Sequence, residues 1–168
     1  MKTIKIIAYS LALTFMFTMA AFSQAVLTSL DGTRIDVEAQ KGKVVVLAVG
    51  ASWLPLSAKQ IEYTNALAKK YQGKDVVFYF VATDSANAKS KNFASSDAIR
   101  KFAFANKFNG TVLRDADGAV TLDRYDIDQV PSFVILNKNG AQIGEPFGGI
   151  DPKYDITIPI SKAIDKLL

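Results

Sequence analysis

The stretch KVVVLAVGASWLPLS, residues 43–57, decides the fold of this chain. Its first half, residues 44–49, is a near-continuous run of β-branched and other apolar side chains. Such a run is typical of a strand buried on both faces of a sheet covered by helices. Pro55 suits the first turn of a helix, and apolar residues then recur at helical spacing up to Tyr71, before Gly73 offers a helix stop. The stretch therefore predicts a buried central strand, a tight turn and a helix in direct succession.

A second apolar run, residues 75–82, follows this helix. Strand, helix and strand in this order form a β-α-β unit, whose crossover is right-handed in almost all proteins. The polar residues 83–94 predict a loop. Ser95 or Ser96 can then cap a second helix, which we expect to end near residues 109–110.

Further turns and short elements flank this unit. Asp31 and Gly32 predict a tight turn between two short apolar stretches over residues 27–37. The remaining predicted elements are a strand at 111–113, a turn at 117–118, a short helix at 120–125, a hairpin of strands 132–136 and 142–147, and a final helix at 154–168. Together they predict an α/β fold with a central mixed sheet, flanking helices and an N-terminal β extension.

The N-terminus has a different character from the rest of the 168-residue chain. Lys2 and Lys5 precede an apolar run over residues 6–22, and small residues follow it. This pattern predicts a secretory signal peptide at residues 1–25 and one domain at residues 26–168. Retention of the run as a membrane anchor is the alternative, because its length approaches the ~20 residues that span a bilayer. No charged stop-transfer cluster follows, so we expect a periplasmic or secreted protein with no membrane span after cleavage.

Charge and composition exclude several classes of site. The formal net charge of +4 includes the two signal-peptide lysines, so the mature chain is near +2. Its lysines form no stripe interleaved with aromatic residues, and we expect no nucleic-acid binding. The absence of cysteine and histidine excludes disulfides and ordinary zinc or haem sites. The aspartates of residues 115–128 suggest a calcium loop, but Gly118 falls at the fourth position of the loop instead of the sixth. No metal or cofactor is expected.

Three segments and their order resemble one known family. The segments are SLDGTRIDVEAQKGKVVVL at residues 29–47, ASWLPLS at 51–57 and RDADGAVTLDRYDIDQVPSFVILNKNGAQI at 114–143. Together with the signal peptide they resemble the thioredoxin superfamily, and most closely its exported TlpA/ResA-like branch of thiol-disulfide oxidoreductases. The resemblance covers residues 26–168 and implies a thioredoxin-like fold.

The redox turn of that family carries two cysteines in the pattern W-C-x-x-C, and both are absent here. Leu54 and Ser57 stand at their positions, after the retained Trp53. Leucine has no lone pair with which to attack a disulfide, and the chain has no histidine to activate the Ser57 hydroxyl. We therefore expect no catalytic residue in the degenerate turn of Trp53, Leu54, Pro55, Leu56 and Ser57. For Ser57 we expect a role in capping or solvating backbone groups.

The resemblance also implies a place for a bound peptide. The family's proline at the position of Pro131 is cis, and the residue before it, here Val130, offers its backbone to an extended substrate. Trp53, Leu54, Leu56, Val130 and Pro131 are then expected to form one exposed apolar patch that binds a peptide. Neutral drift after loss of the thiols is the alternative explanation of the patch. For Trp53 itself, packing beside the first helix is the favoured expectation.

Two further departures alter the groove that the resemblance implies. Gly50 replaces a bulky aromatic residue common before this turn, and Glu62 stands where the family often has a helix-kinking proline. The leading hypothesis is an exported, redox-inactive module that binds a peptide or protein partner. The alternatives are a TlpA-like oxidoreductase homologue that depends on a partner's thiol, and a purely structural accessory protein.

Overall fold

Three strands come first, and helices and strands then alternate along the chain. The computed structural model describes residues 24–151 and 153–168. The strands are β1 (Val26–Ser29), β2 (Arg34–Asp36), β3 (Val44–Gly50), β4 (Val76–Ala82), β5 (Thr111–Arg114) and β6 (Ser132–Leu136). The helices are α1 (Pro55–Lys70), α2 (Ser96–Ala105), α3 (Thr121–Arg124) and α4 (Thr157–Asp165), with a 3₁₀ turn at Ala116–Gly118 ahead of α3.

The predicted signal peptide lies outside the described residues, apart from its last two positions. Ala25 is fully buried, and its carbonyl accepts a hydrogen bond from the Val37 N–H at 3.1 Å. The folded part therefore begins slightly ahead of residue 26. No helix within residues 24–151 or 153–168 has the length and apolar character needed to cross a membrane.

The strands of the described residues form one six-stranded sheet in the order β2-β1-β5-β4-β3-β6. β3 pairs parallel with β4 and antiparallel with β6. β4 also pairs parallel with β5, whereas β1 pairs antiparallel with both β2 and β5. The sheet is therefore mixed, with the predicted N-terminal extension at one edge, and the predicted fold class is confirmed.

Both faces of β3 are covered, as its continuous apolar run predicts. All seven of its residues are buried. Alternate residues belong to two core clusters, one shared with α1, α2 and α4 and the other with β1 and Tyr125 beyond α3. Burial of each large apolar side chain stabilises the fold by about 1.5–3 kcal/mol. The two cores hold the end of β3, and hence the turn after it, in a fixed place.

The second strand of the predicted hairpin is absent as a regular element. Residues 142–147 instead form isolated bridges beside β6, including one between Phe133 and Phe147. Pro146 has no N–H to donate, and Gly144 takes a φ of 69°, so a continuous ladder is interrupted.

Two helix boundaries also differ from the predictions. α4 begins at Thr157 instead of residue 154, because the Asp155 carboxylate accepts a hydrogen bond from the Thr157 N–H at 2.9 Å in a turn ahead of the helix. α2 ends at Ala105, before the predicted end near 109–110, because Lys107 takes a left-handed φ of 57°.

Candidate functional site

The turn after β3 is built from backbone hydrogen bonds. Leu54 precedes α1 in an extended conformation and has no side-chain group to cap the helix. Its N–H donates to the Ala51 carbonyl at 3.1 Å, and its carbonyl accepts from the Ser57 N–H at 3.0 Å. Pro55 at the start of the helix has no N–H that needs a partner. The turn is thus closed by backbone hydrogen bonds, with Leu54 and Ser57 at the two positions where the resemblance places cysteines.

Ser57 serves the backbone of this turn. It is fully buried, and its hydroxyl oxygen accepts a hydrogen bond from the Ala51 N–H at 3.2 Å. This is the backbone-solvating role that residue type and position predict. The hydroxyl is closed off from solvent, so it has no access to a substrate.

Asp84 holds the turn from the neighbouring strand, and sequence reasoning missed it. It follows β4 and is fully buried. The Ser52 N–H donates to both of its carboxylate oxygens at 3.1 and 3.0 Å, and the Ser52 hydroxyl donates to the same carboxylate. Thr83 adds two hydrogen bonds to the Gly50 carbonyl, from its N–H at 2.8 Å and its hydroxyl at 3.1 Å. The two residues after β4 therefore hold the start of the turn in place through hydrogen bonds.

Gln60 joins the turn to β6, and it too was missed. This buried side chain of α1 donates from Nε2 to the Val49 carbonyl at 3.2 Å and to the Ser132 carbonyl at 2.8 Å. Because Val49 and Ser132 are partners in the antiparallel pairing of β3 and β6, one amide bridges the ends of both strands. Its Oε1 has no hydrogen-bond partner among the described residues. A glutamine on the buried face of the first helix is the only sequence signal for this bridge.

The bridge explains why a glycine stands at position 50. A Cβ atom at Gly50 would lie 2.5 Å from Gln60 Oε1 and 2.8 Å from Ser57 Oγ. Real Cβ atoms essentially never make such contacts, and both neighbours are fully buried. The aromatic residue that the family places here is therefore incompatible with Gln60 and Ser57 as packed.

The five patch residues differ in exposure from the expectation. Trp53 is 50% exposed, so its side chain is not part of the core and half of it remains accessible. Leu54 and Leu56 are half-buried instead of fully exposed. Pro131 is buried and contributes little surface, whereas Val130 is half-buried and packs against the second core cluster. The patch is therefore smaller than predicted, and Trp53 dominates its accessible part.

Val130 presents an unpaired backbone at the same end of the sheet. The peptide bond between Val130 and Pro131 is cis. Neither the N–H nor the carbonyl of Val130 makes a hydrogen bond within the described residues. On the outer edge of β6, Phe133 and Phe147 exchange two hydrogen bonds at 2.9 and 2.8 Å. Within the described residues no backbone pairing follows on this edge beyond Phe133 toward Val130.

The surface of α1 beside the turn carries a charged pair. Glu62 stands where the family often has a kinking proline, and α1 runs unbroken past it. Its carboxylate accepts a hydrogen bond from the Lys59 ammonium at 2.8 Å, which raises the pKa of Lys59. Lys59 also lies 4.9 Å from the centre of the Tyr63 ring. Within residues 24–151 and 153–168, no three metal-ligating side chains come together.

The family of the chain follows from comparison with known proteins. The Redoxin family matches residues 17–155, which is most of the chain. This chain belongs to the Redoxin family. The family name describes ancestry and fold, while the chain itself contains no cysteine.

Named relatives of this Redoxin-family chain are thiol-disulfide oxidoreductases. ResA of Bacillus thuringiensis subsp. konkukian, a thiol-disulfide oxidoreductase, is 28% identical over 120 residues. The match covers 71% of this chain and 64% of ResA, so this chain spans less than two thirds of that relative's length.

Solved structures share the thioredoxin-like fold. A thioredoxin-like protein from Aeropyrum pernix has a TM-score of 0.68 at 16% identity, covering 85% of this chain and 89% of that protein. The exposed lipoprotein thioredoxin Etrx1 of Streptococcus pneumoniae has a TM-score of 0.66 at 22% identity, covering 84% of this chain and 98% of that protein. At these identities the likeness concerns the fold alone.

Proposed function

We propose that this Redoxin-family chain binds an extended segment of a peptide or protein partner and performs no thiol-disulfide turnover of its own. The observation that carries the proposal is the position of a half-exposed tryptophan on a turn fixed by buried hydrogen bonds, at the same end of the sheet as the unpaired backbone of Val130. Rigid aromatic anchors and free strand edges are the features that peptide-binding surfaces use.

Binding would proceed by strand addition. A peptide lying antiparallel to the chain at Val130 would exchange hydrogen bonds with the Val130 N–H and carbonyl, which have no other partner in the described residues. A side chain of that peptide would cover Trp53, whose indole offers a large apolar face with one N–H donor. Because Gln60 and Asp84 fix the surrounding backbone, little order would have to be created on binding.

Chemistry argues against catalysis by this chain alone. Attack on a disulfide requires a thiolate, and this chain has no sulfur except in its methionines. The second candidate function, favoured by the Redoxin match and by the relatives named thiol-disulfide oxidoreductases, is an oxidoreductase that uses a thiol from its partner. Reduction of insulin disulfides with added dithiol separates the two. We expect the rate with this protein to equal the rate with dithiol alone, and a faster rate would favour the second candidate.

We also propose that the protein is exported to the periplasm or secreted. Two lysines followed by the apolar run of residues 6–22 support export, and the structural relative from Streptococcus pneumoniae is named an exposed lipoprotein. N-terminal sequencing of the protein from fractionated cells tests this proposal. A mature N-terminus near residues 23–25 in the exported fraction is expected, and an intact N-terminus in the cytoplasm would contradict it.

The binding proposal has a built-in reporter, because Trp53 is the sole tryptophan of the chain. Immobilised protein captures partners from the exported fraction, and mass spectrometry identifies them. Synthetic segments of each captured protein are then titrated against the full chain while Trp53 fluorescence is followed. We expect a blue shift on binding, because the indole loses contact with water. N-methylation of alternate peptide amides is expected to abolish the shift if strand pairing is the mode.

A matched pair of aromatic variants decides the location of binding. Trp53→Ala is expected to weaken capture by about 30-fold, since a central tryptophan anchor contributes about 2 kcal/mol or more. Phe104→Ala is the control, because Phe104 is 84% exposed on α2 and lies outside the proposed site. Equal capture by the two variants would show that the turn is not the binding surface.

A further inference from the structure

A cleft lies at the end of the sheet opposite to the turn. β4 runs from Val76, beside the cleft, to Ala82, which pairs with Gly50 at the start of the turn. The cleft has a volume of about 740 Å³. It lies between the C-terminal turn of α1, the beginning of β4 and the segment that joins α2 to β5.

Three lysines line this cleft and no acidic residue does. Lys69 comes from α1, Lys74 from the turn before β4 and Lys107 from the segment after α2. Its apolar lining includes Val76 and Phe108, which are half-buried. The cleft thus combines positive charges with an apolar lining.

These lysine charges are not neutralised within the described part of the chain. The ion pairs there involve Lys59, Lys70, Arg100 and Arg124, each with its own carboxylate. Lys69 lies in the last turn of α1, where the helix dipole favours a cation. That effect fades beyond the last turn and does not account for Lys74 or Lys107.

The backbone that carries the lysines is held in place. The Asn65 side chain of α1 donates to the Lys107 carbonyl at 3.2 Å and to the Asn106 carbonyl at 3.4 Å, which ties two walls of the cleft together. On the third wall, the Lys74 N–H donates to the Tyr71 carbonyl at 3.0 Å. The backbone positions of the three lysines are therefore fixed by hydrogen bonds, while their side chains are exposed.

We propose that this cleft is a docking site for an acidic polypeptide segment that carries an apolar side chain among its carboxylates. Charge complementarity selects the sign of the partner, and the half-buried Val76 and Phe108 provide the apolar contact. A single small anion fits less well, because all three lysines are exposed and come from separate segments. Several carboxylates along one chain match such an arrangement. The site is independent of the binding face at the turn.

Fluorescence anisotropy of a labelled peptide tests the proposal with the full chain. The probe is a glutamate-rich octapeptide with one phenylalanine, and the control peptide has glutamine in place of each glutamate. Exposed ion pairs contribute about 0.2–1 kcal/mol each, so the variant Lys69→Ala, Lys74→Ala, Lys107→Asn is expected to weaken probe binding about tenfold. Asparagine is chosen at position 107 because it tolerates the left-handed φ of 57°. Raising the salt to about 1 M is expected to weaken binding as well.

A second variant removes the same charge elsewhere. Lys89, Lys91 and Lys166 are exposed and do not line the cleft, so their replacement by alanine is expected to leave probe binding within about twofold. Chemical shifts of the Gly73 and Gly110 amides in the unsubstituted chain are expected to move with the probe, which locates the site without any substitution. Equal weakening in both triple variants, equal binding of the glutamine peptide, or unmoved amides at Gly73 and Gly110 would overturn the proposal. Full displacement of the probe by millimolar inorganic phosphate would also overturn it, because the site would then be one for small anions.

Discussion

Two turns in the described part of the chain are each held by a hydrogen bond between a serine and an aspartate, and the carboxylate is buried in one and exposed in the other. After β3, the N–H and hydroxyl of Ser52 donate to the fully buried carboxylate of Asp84, which is 32 residues away in the chain. Between β1 and β2, the Ser29 hydroxyl and the Thr33 N–H donate to the exposed carboxylate of Asp31, within a span of four residues. The donors and the acceptor are chemically alike in the two turns.

The difference between these turns lies in burial and in sequence separation. At Asp31 water can replace each lost hydrogen bond, so the contact contributes little to stability. At Asp84 the carboxylate is fully buried, so loss of its hydrogen-bond partners would leave it without the bonds that water supplies at Asp31, which is costly. The turn after β3 is thus the one whose shape depends on a buried carboxylate and on long-range contacts. Such contacts hold the shape of the turn without any sulfur atom in it.

Restoring the cysteines gives the largest expected effect, because an activity would appear that the natural chain has no atoms to perform. In the double variant Leu54→Cys, Ser57→Cys, the first thiol lies just ahead of α1, where the helix N-terminus lowers a thiol pKa. If the pKa of this thiol falls from about 8.5 to about 7, the fraction of thiolate at neutral pH rises on the order of tenfold. We expect this variant to reduce insulin disulfides faster than dithiol alone. Activity no higher than that of Leu54→Cys alone would mean that the turn no longer has the geometry of a redox turn.

Removing the buried carboxylate gives the next largest effect. Asp84→Ala is expected to lower the free energy of unfolding by about 3 kcal/mol, because the N–H and hydroxyl of Ser52 lose a charged acceptor. Urea denaturation followed by Trp53 fluorescence measures the change. Asp31→Ala is the matched exposed change, and we expect its urea midpoint to fall much less than that of Asp84→Ala. Similar midpoints for the two variants would remove the distinction between the buried and the exposed turn.

Packing beneath the turn provides a third test. Gly50→Ala is expected to lower the free energy of unfolding by about 2 kcal/mol, because the new methyl group would overlap Gln60 Oε1 and Ser57 Oγ. Gln60→Ala removes the amide and makes room for the methyl group. The double variant is therefore expected to lose about 1 kcal/mol less free energy of unfolding than the two single variants lose together. Thermal and urea unfolding of all four proteins measure this coupling. Strict additivity would show that the glycine and the glutamine are not matched to each other.

The local features of the site were predictable from the sequence. The apolar run of β3 and the proline at position 55 correctly predict strand, turn and helix, because each signal depends on neighbouring residues. Asp31 and Gly32 correctly predict the exposed turn for the same reason, and Gly32 takes the positive φ of 92° that suits glycine. The turn at Asp31 can thus be predicted from a few adjacent residues.

The contacts that shape the candidate site were not predictable in the same way. Ser52 and Asp84 meet only because β3 and β4 pair in parallel, and Gln60 reaches the Ser132 carbonyl across 72 residues. The half-exposure of Trp53 could not be derived from residue type, which favours burial, since only the surrounding chain decides it. Patterns along the sequence report which faces are apolar, but the partner of a single buried polar atom depends on the finished packing.

Titration of the exposed turn gives the smallest expected effect. The hydrogen bond from the Ser29 hydroxyl, followed by that from the Thr33 N–H, lowers the pKa of Asp31 from 3.8 to about 2. Because the pKa is lower in the folded state, the contribution to stability is present above pH ~3.8 and is lost as the pH falls through about 2. Carbon-detected NMR of the Asp31 carboxyl is expected to show a midpoint near pH 2, which Ser29→Ala moves toward 3.8. A midpoint already near 3.8 in the natural chain would mean that the exposed serine–aspartate contact is not maintained in solution, and the comparison would then reduce to the buried turn alone.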